Sequence, residues 1–175
     1  MLDRVIAGIH RISRLCGTIA GLCLISACVV VCQMVAMRYL LSASTIWQNE
    51  FVTFAIVAAT LIGSPYVLLT RGHVNVDLLP HYLGDRGRQF LALLASTLGV
   101  VFCAVLAWTG WIYFHDAWRE GWVTSSVWAP PLWIPLLPLP IGLALLTLQY
   151  IADIVCLLTG RPVGVVEPTT VEELE

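Results

Sequence analysis

Four stretches of this chain, Leu15 to Met37, Phe51 to Thr70, Phe90 to Phe114 and Trp133 to Leu158, each run for 20 residues or more without a basic side chain. An α-helix of that length covers the ~30 Å of hydrocarbon in a bilayer. Lipid offers a backbone no hydrogen-bond partner, so such runs must close their own hydrogen bonds as helices. Composition agrees: 59% of the 175 residues are apolar, 11% are charged, and the mean hydropathy is +0.87. These values lie outside the range of soluble domains. The expected fold class is an all-α integral membrane protein with transmembrane helices at about 15–37, 50–70, 89–120 and 133–158. Residues 1–162 form a single four-helix membrane domain, and 163–175 form an acidic cytoplasmic tail expected to be disordered.

The segments between the spans add detail. Leu2, Val5, Ile6, Ile9 and Ile12 recur at near-helical spacing against Asp3, Arg4, His10 and Arg11, which predicts a short amphipathic surface helix near 2–12. A cleaved secretory signal is the rival reading, but the apolar run that follows is a full span and no A-x-A site ends it. Gly63, Ser64 and Pro65 interrupt the second span, where a kink or a close helix contact is expected. Asp77 can cap a second surface helix near 77–84, with Pro80 tolerated in its first turn. The tryptophan stripe of Trp108, Trp111, Trp118 and Trp122, with His115, predicts that the third helix runs on to Trp122, about 50 Å from Phe90. Pro130, Pro131, Pro135, Pro138 and Pro140 predict an irregular first half for the fourth span.

Charge sets the orientation. The chain has no Lys, and its nine Arg divide, for four spans with the amino terminus inside, into an inner seven (Arg4, Arg11, Arg14, Arg71, Arg86, Arg88, Arg161) and an outer two (Arg38, Arg119). Both termini are therefore expected in the cytoplasm, with six of the seven Trp forming a belt at the opposite interface. Arg38, Glu50 and Arg71 each sit at the span end whose dipole they complement. No basic stripe interleaved with aromatics lies outside the bilayer, which argues against nucleic acid as a partner. Cys16, Cys23, Cys28, Cys32, Cys103 and Cys156 fall within apolar segments and form no C-x-x-C, so they read as small packing residues.

Mid-membrane ionisable groups mark conduits for ions and acids. Arg38, Glu50, Arg71, His73 and Asp77 all sit at span ends, and Asp153 lies about five residues from the inner end of the fourth span. Asp153 admits three readings: reach to the interface or a neighbouring helix, a proton or ion relay, and a subunit contact. Paired haem-ligating His are missing from the spans, because His10, His73, His81 and His115 lie at their ends. A metal site from His73, Asp77 and His81 is disfavoured by Pro80 and the non-helical Gly72 to Val76, so no cofactor or metal is assigned to this chain. Arg38 and Glu50 face the same interface, either as an ion pair or as two snorkelling side chains, and Trp47 reads as an interfacial anchor.

An ordered set of motifs carries a resemblance. Arg38-Tyr39, Trp47-x-x-Glu50, a span with Gly63-Ser64, then Gly72-His73-Val74-x-Val76-Asp77-Leu78-Leu79, a long third span with tryptophans and a Pro-Leu-Pro entry to the fourth resemble the small membrane subunit (DctQ type) of TRAP transporters. The resemblance spans roughly Arg38 to Leu158. It implies a bacterial inner-membrane tripartite importer of organic acids, driven by sodium. The partners would be a large multi-span permease, which holds the substrate and sodium sites, and a periplasmic substrate-binding protein. It implies for this chain a non-catalytic brace, with Arg38, Trp47, Glu50, Arg71, Gly72, His73, Asp77 and Asp153 as candidate structural or subunit-contact residues. The chain departs from the family pattern at Asn49, Thr53 and Asn75, so its polar contacts around Trp47 and Glu50 are expected to differ from those of relatives, and no particular substrate is carried over. A self-sufficient oligomeric transporter or channel is the alternative from the same composition.

Overall fold

A computed structural model describes residues 2–41, 45–70, 85–126 and 128–159. Its elements are α1 (Leu2–Leu41), α2 (Ile46–Leu69), α3 (Asp85–Glu120), the short α4 (Trp133–Leu136) and α5 (Pro138–Leu158). Four stretches are long and apolar enough to cross a membrane: Ile6–Leu41, Ile46–Leu69, Phe90–Glu120 and Trp133–Leu158. The four-span, all-helical expectation therefore holds. The long helices pack in the order α1, α2, α5, α3, so α5 is central and α3 leans chiefly on α5 and α4.

Several boundaries differ from the sequence reading. Residues 2–12 are helical but continuous with the first span, giving one 40-residue helix of about 60 Å. Nothing between Ile12 and Leu15 can break a helix, since the segment carries no Pro or Gly. The second helix starts at Ile46, so Glu50 lies in its second turn and no acid occupies the first. That removes Glu50 from the positions where a carboxylate best complements the dipole. Arg38, by contrast, does lie in the last turn of α1. The surface helix expected near 77–84 and the tail after 162 lie outside the described residues.

The third helix begins at Asp85 and has 36 residues, about 54 Å. It stops at Glu120, before Trp122, because Gly121 takes a left-handed φ of 64°. The Trp122 N–H donates to the Ala117 carbonyl at 3.1 Å, the long bond of a Schellman terminator. A small loop follows, closed by Leu132 N–H to Trp122 O at 2.8 Å and Thr124 N–H to Pro130 O at 3.1 Å. The proline-rich entry is broken as expected: α4 spans one turn, Leu137 separates it from α5, and Pro138 opens α5 where its missing N–H costs nothing.

Small residues bring the helices together. A side-chain carbon added to Gly17 would lie 2.5 Å from the Tyr66 ring, and one added to Gly63 would lie 3.0 Å from the Ala20 methyl, so these glycines set the α1–α2 approach. On α3, Gly99 receives the ring of Tyr150 and Gly110 receives Leu139. At Gly142 the neighbour is backbone: an added carbon would overlap the carbonyl of Leu61 on α2. That carbonyl is special, since Pro65 cannot supply the N–H that would bond it. The Ser64 hydroxyl donates to it instead, at 2.8 Å. Residues Gly63, Ser64 and Pro65 thus support close packing on both sides of α2, against α1 and α5.

The cysteines divide. Cys16, Cys103 and Cys156 are buried, as packing residues should be, whereas Cys28 and Cys32 are exposed on α1. Those two lie one turn apart on the outward side, so the packing reading fails for them. All six are free thiols.

Replacing Gly142 with valine should destabilise the bundle by at least about 1–3 kcal/mol, the usual cost of overpacking, because a backbone carbonyl cannot rotate away. The midpoint of unfolding in mixed micelles reads this, and an unchanged midpoint would show that the α2–α5 approach is looser than described.

Candidate structural and subunit-contact sites

The candidate residues that are described, Arg38, Trp47, Glu50 and Asp153, fall at opposite ends of the bundle. The carboxyl end of α1, the start of α2, the end of α3 and the α3–α4 loop meet at one end, and aromatic rings fill it. Trp47 meets Trp128 edge-on at 6.3 Å, Trp118 lies 4.8 Å from Trp133, and Tyr113 lies 5.6 Å from Trp122. The Trp122 indole N–H donates to Glu120 at 2.7 Å. Amphipathic rings gathered at one level form an interfacial anchor, apolar toward lipid and polar toward water.

Arg38 and Glu50 share this end without pairing. The acid–base contact found among the described residues is His115 Nδ1 with Asp116 Oδ1, at 3.9 Å, an ion pair only when the imidazole is protonated. Arg38 is exposed, which fits a snorkelling guanidinium, while Glu50 is half-buried with its Oε2 enclosed and without a hydrogen-bond partner among the described residues. Gln48, which the sequence reading passed over, is buried, and its Oε1 is also unpartnered. Glu50 and Gln48 lie two residues apart, so they look to different sides of α2.

At the other end a buried polar line joins α1 to α5. The Ser13 hydroxyl donates to Gln149 Oε1 at 2.9 Å, and Gln149 Nε2 donates to Asp153 Oδ1 at 3.1 Å. Gln149 is 0% exposed and Asp153 is 6% exposed, so the carboxylate turns into the protein. Gln149 can serve both neighbours because its amide carries an acceptor and donors at once. Its i to i+4 spacing from Asp153 places both on one helix face. His10 precedes Ser13 by a turn of α1, and its Nε2 is enclosed and unpartnered among the described residues.

Sequence reasoning singled out Asp153 and missed Ser13 and Gln149. The signal for Gln149 was present: Gln149 and Asp153 stand four apart in an otherwise apolar run. Ser13 was hidden because it falls in the gap between the surface helix expected near 2–12 and the span expected from Leu15, a gap that the continuous α1 does not have. Arg71, Gly72, His73 and Asp77 lie outside the described residues, and nothing above brings them to either end.

Interhelical hydrogen bonds within a bilayer contribute about 0.6 kcal/mol on average and up to about 1.7 kcal/mol. A double-mutant cycle on Ser13→Ala and Gln149→Leu should return a coupling in that range, measured by unfolding in mixed micelles. Zero coupling would mean that the two side chains do not meet.

The family model described as "Tripartite ATP-independent periplasmic transporters, DctQ component" matches residues 27–160. The chain is similar to the C4-dicarboxylate TRAP transporter small permease protein DctQ of Vibrio cholerae serotype O1, with 28% identity over 148 residues, 73% of this chain and 64% of that protein. It is also similar to the protein of the same name from Rhodobacter capsulatus, with 26% identity over 106 residues, 61% of this chain and 46% of that protein. The alignments thus span less than two thirds of either relative. The matched region begins in the middle of α1 and ends just past α5, so it takes in Arg38, Trp47, Glu50, Gln149 and Asp153 while Ser13 precedes it. With more than half of the chain matched to one family model and four helices able to span a membrane, the chain belongs to the DctQ component family of the tripartite ATP-independent periplasmic transporters.

Proposed function

We propose that this chain is the non-catalytic brace of a sodium-driven, binding-protein-dependent importer of organic acids, holding a large permease subunit in the bacterial inner membrane. The observation that carries this reading is the placement of Asp153. It is a buried carboxylate within a described span, 6% exposed, and it accepts from Gln149, which in turn holds Ser13 of another helix. A carboxylate used in this way orients the amide that ties α5 to α1. It differs from the solvated relay that a conduit requires.

The packing supports the same reading. Gly142 draws α5 against the α2 backbone, Gly17 and Gly63 let α1 and α2 approach, and Gly99 on α3 receives Tyr150 of α5. The outward sides of α1 and α3 carry large apolar residues such as Leu22, Val29, Leu98 and Phe102. They suit lipid or the apolar flank of a membrane partner. Substrate choice and sodium coupling then belong to other polypeptides, and the term C4-dicarboxylate describes the relatives.

Reconstitution tests the proposal. Liposomes that hold the chain with its permease, supplied with the secreted binding protein and an inward sodium gradient, should accumulate a dicarboxylate. Liposomes holding the chain alone should not. Uptake by the chain alone would overturn the brace reading in favour of a self-sufficient oligomeric transporter. Arginine counting further predicts a cytoplasmic carboxyl terminus, and a reporter fused after Glu175 that is active only outside the cytoplasm should stay silent.

A further inference from the structure

One face of α1 combines charge and exposure in a way that the brace role does not use. Arg4, Arg11, Leu15, Thr18, Leu22, Ile25 and Val29 alternate steps of three, four and seven, which keeps them within a narrow arc of the helix, with Arg14 at its margin. All three arginines are exposed. Among the described residues none has an acidic group within ion-pair distance. Directly beyond them, Leu15, Leu22, Ile25 and Val29 are 58–62% exposed. The Thr18 hydroxyl in their midst is occupied, donating to the Arg14 carbonyl at 3.2 Å.

This order, cations first and then a bare aliphatic strip, complements an anionic phospholipid from phosphate to acyl chain. The same face is a poor fit for a second helix. Helices in membranes meet through small residues. The small residues of α1 that make helix contacts lie on its other side: Gly17 and Ala20 meet Tyr66 and Gly63, and Cys16 and Ala27 are buried. Ala7 and Gly8, by contrast, stand exposed beside the arginines, with open space around Gly8. Between Leu15 and Val29 what remains outward along this line is chiefly bulky, as acyl chains require: Leu15, Leu22, Ile25 and Val29. The arginines exist in this position because α1 is continuous through Ser13 and Arg14. A separate surface helix would have turned them away from the strip. These arginines also precede the region that the family model matches.

We propose that Arg11 and Arg14, with Arg4 beyond them, hold the phosphate of an anionic phospholipid in the leaflet at the amino-terminal end of the bundle, while its acyl chains lie along Leu15, Leu22 and Ile25. The lipid would lock the rotation of α1 about its own axis, which Ser13 fixes from the opposite side through Gln149.

Native mass spectrometry of the full-length chain, incubated in detergent with phosphatidylglycerol or phosphatidylcholine, tests this. The wild type should retain phosphatidylglycerol preferentially, and added salt should reduce that preference because the charges are exposed. R11Q/R14Q should lower phosphatidylglycerol retention roughly tenfold or more, at about fivefold for each arginine near an anionic surface. R11K/R14K should keep most of it, and R119Q, at the other end, should leave it intact. Equal retention of the two lipids, a salt-insensitive preference, or an equal loss in R119Q would overturn the site. The same measurement on the chain bound to its permease separates lipid from protein: retention abolished in that complex would make this face a subunit contact and would also overturn the proposal.

Discussion

Hydrocarbon neither hydrates a carbonyl nor drives apolar helices together, and the described bundle depends on how it meets those two facts at one point. At Leu61 the carbonyl has lost its helical partner to Pro65, receives the Ser64 hydroxyl, and lies against Gly142 of α5. Each part needs the others. Without Pro65 the carbonyl would be bonded within the helix, and without Gly142 the two backbones could not approach. With no hydrophobic effect to assemble helices inside lipid, such close packing and shared polar contacts provide the association free energy.

The same economy governs the two ends. At one, the Ser13–Gln149 hydrogen bond joins α1 to α5, and a second bond within α5, from Gln149 to Asp153, orients that amide in a region where an unsatisfied group would be costly. At the other, rings of Trp47, Trp118, Trp128 and Trp133 gather at one level and bind α2, α3 and the loop before α4 to the interface. Polar atoms are thus used to fix helices, which is the behaviour expected of a subunit whose value lies in holding its shape. Enclosed polar atoms on His10, Gln48 and Glu50 are exceptions for which the described contacts offer no account.

Most of the fold was legible because it follows from one coarse property, the length of apolar runs. Four spans, the break between Leu136 and Pro138, and the overrun of α3 were all readable from spacing and proline position. What was misread turned on local competition between patterns. Residues 2–12 do have an amphipathic pattern, yet no breaker separates them from the span, so helix propagation continued through Arg14. The tryptophan stripe extended the third helix by two residues too many, because a stripe cannot register that Gly121 is better suited to a left-handed terminator. The Ser13–Gln149 contact could not be found by any local rule, since its partners are 136 residues apart. Membership of the family was carried by the ordered motifs, while the residues of its best-defined motif, from Gly72 to Asp77, lie beyond the described structure.

The central claim is that the carboxylate of Asp153 holds the Gln149 amide that joins α5 to α1, and takes no part in moving solute. Asparagine at this position keeps the shape and the acceptor for Gln149 while removing the charge. Transport by the Asp153→Asn chain, assembled with its permease and measured per assembled complex under a sodium gradient, tests the claim most directly. The account predicts uptake equal to that of the wild type. Normal assembly with uptake abolished would contradict it and place Asp153 on the conduction path.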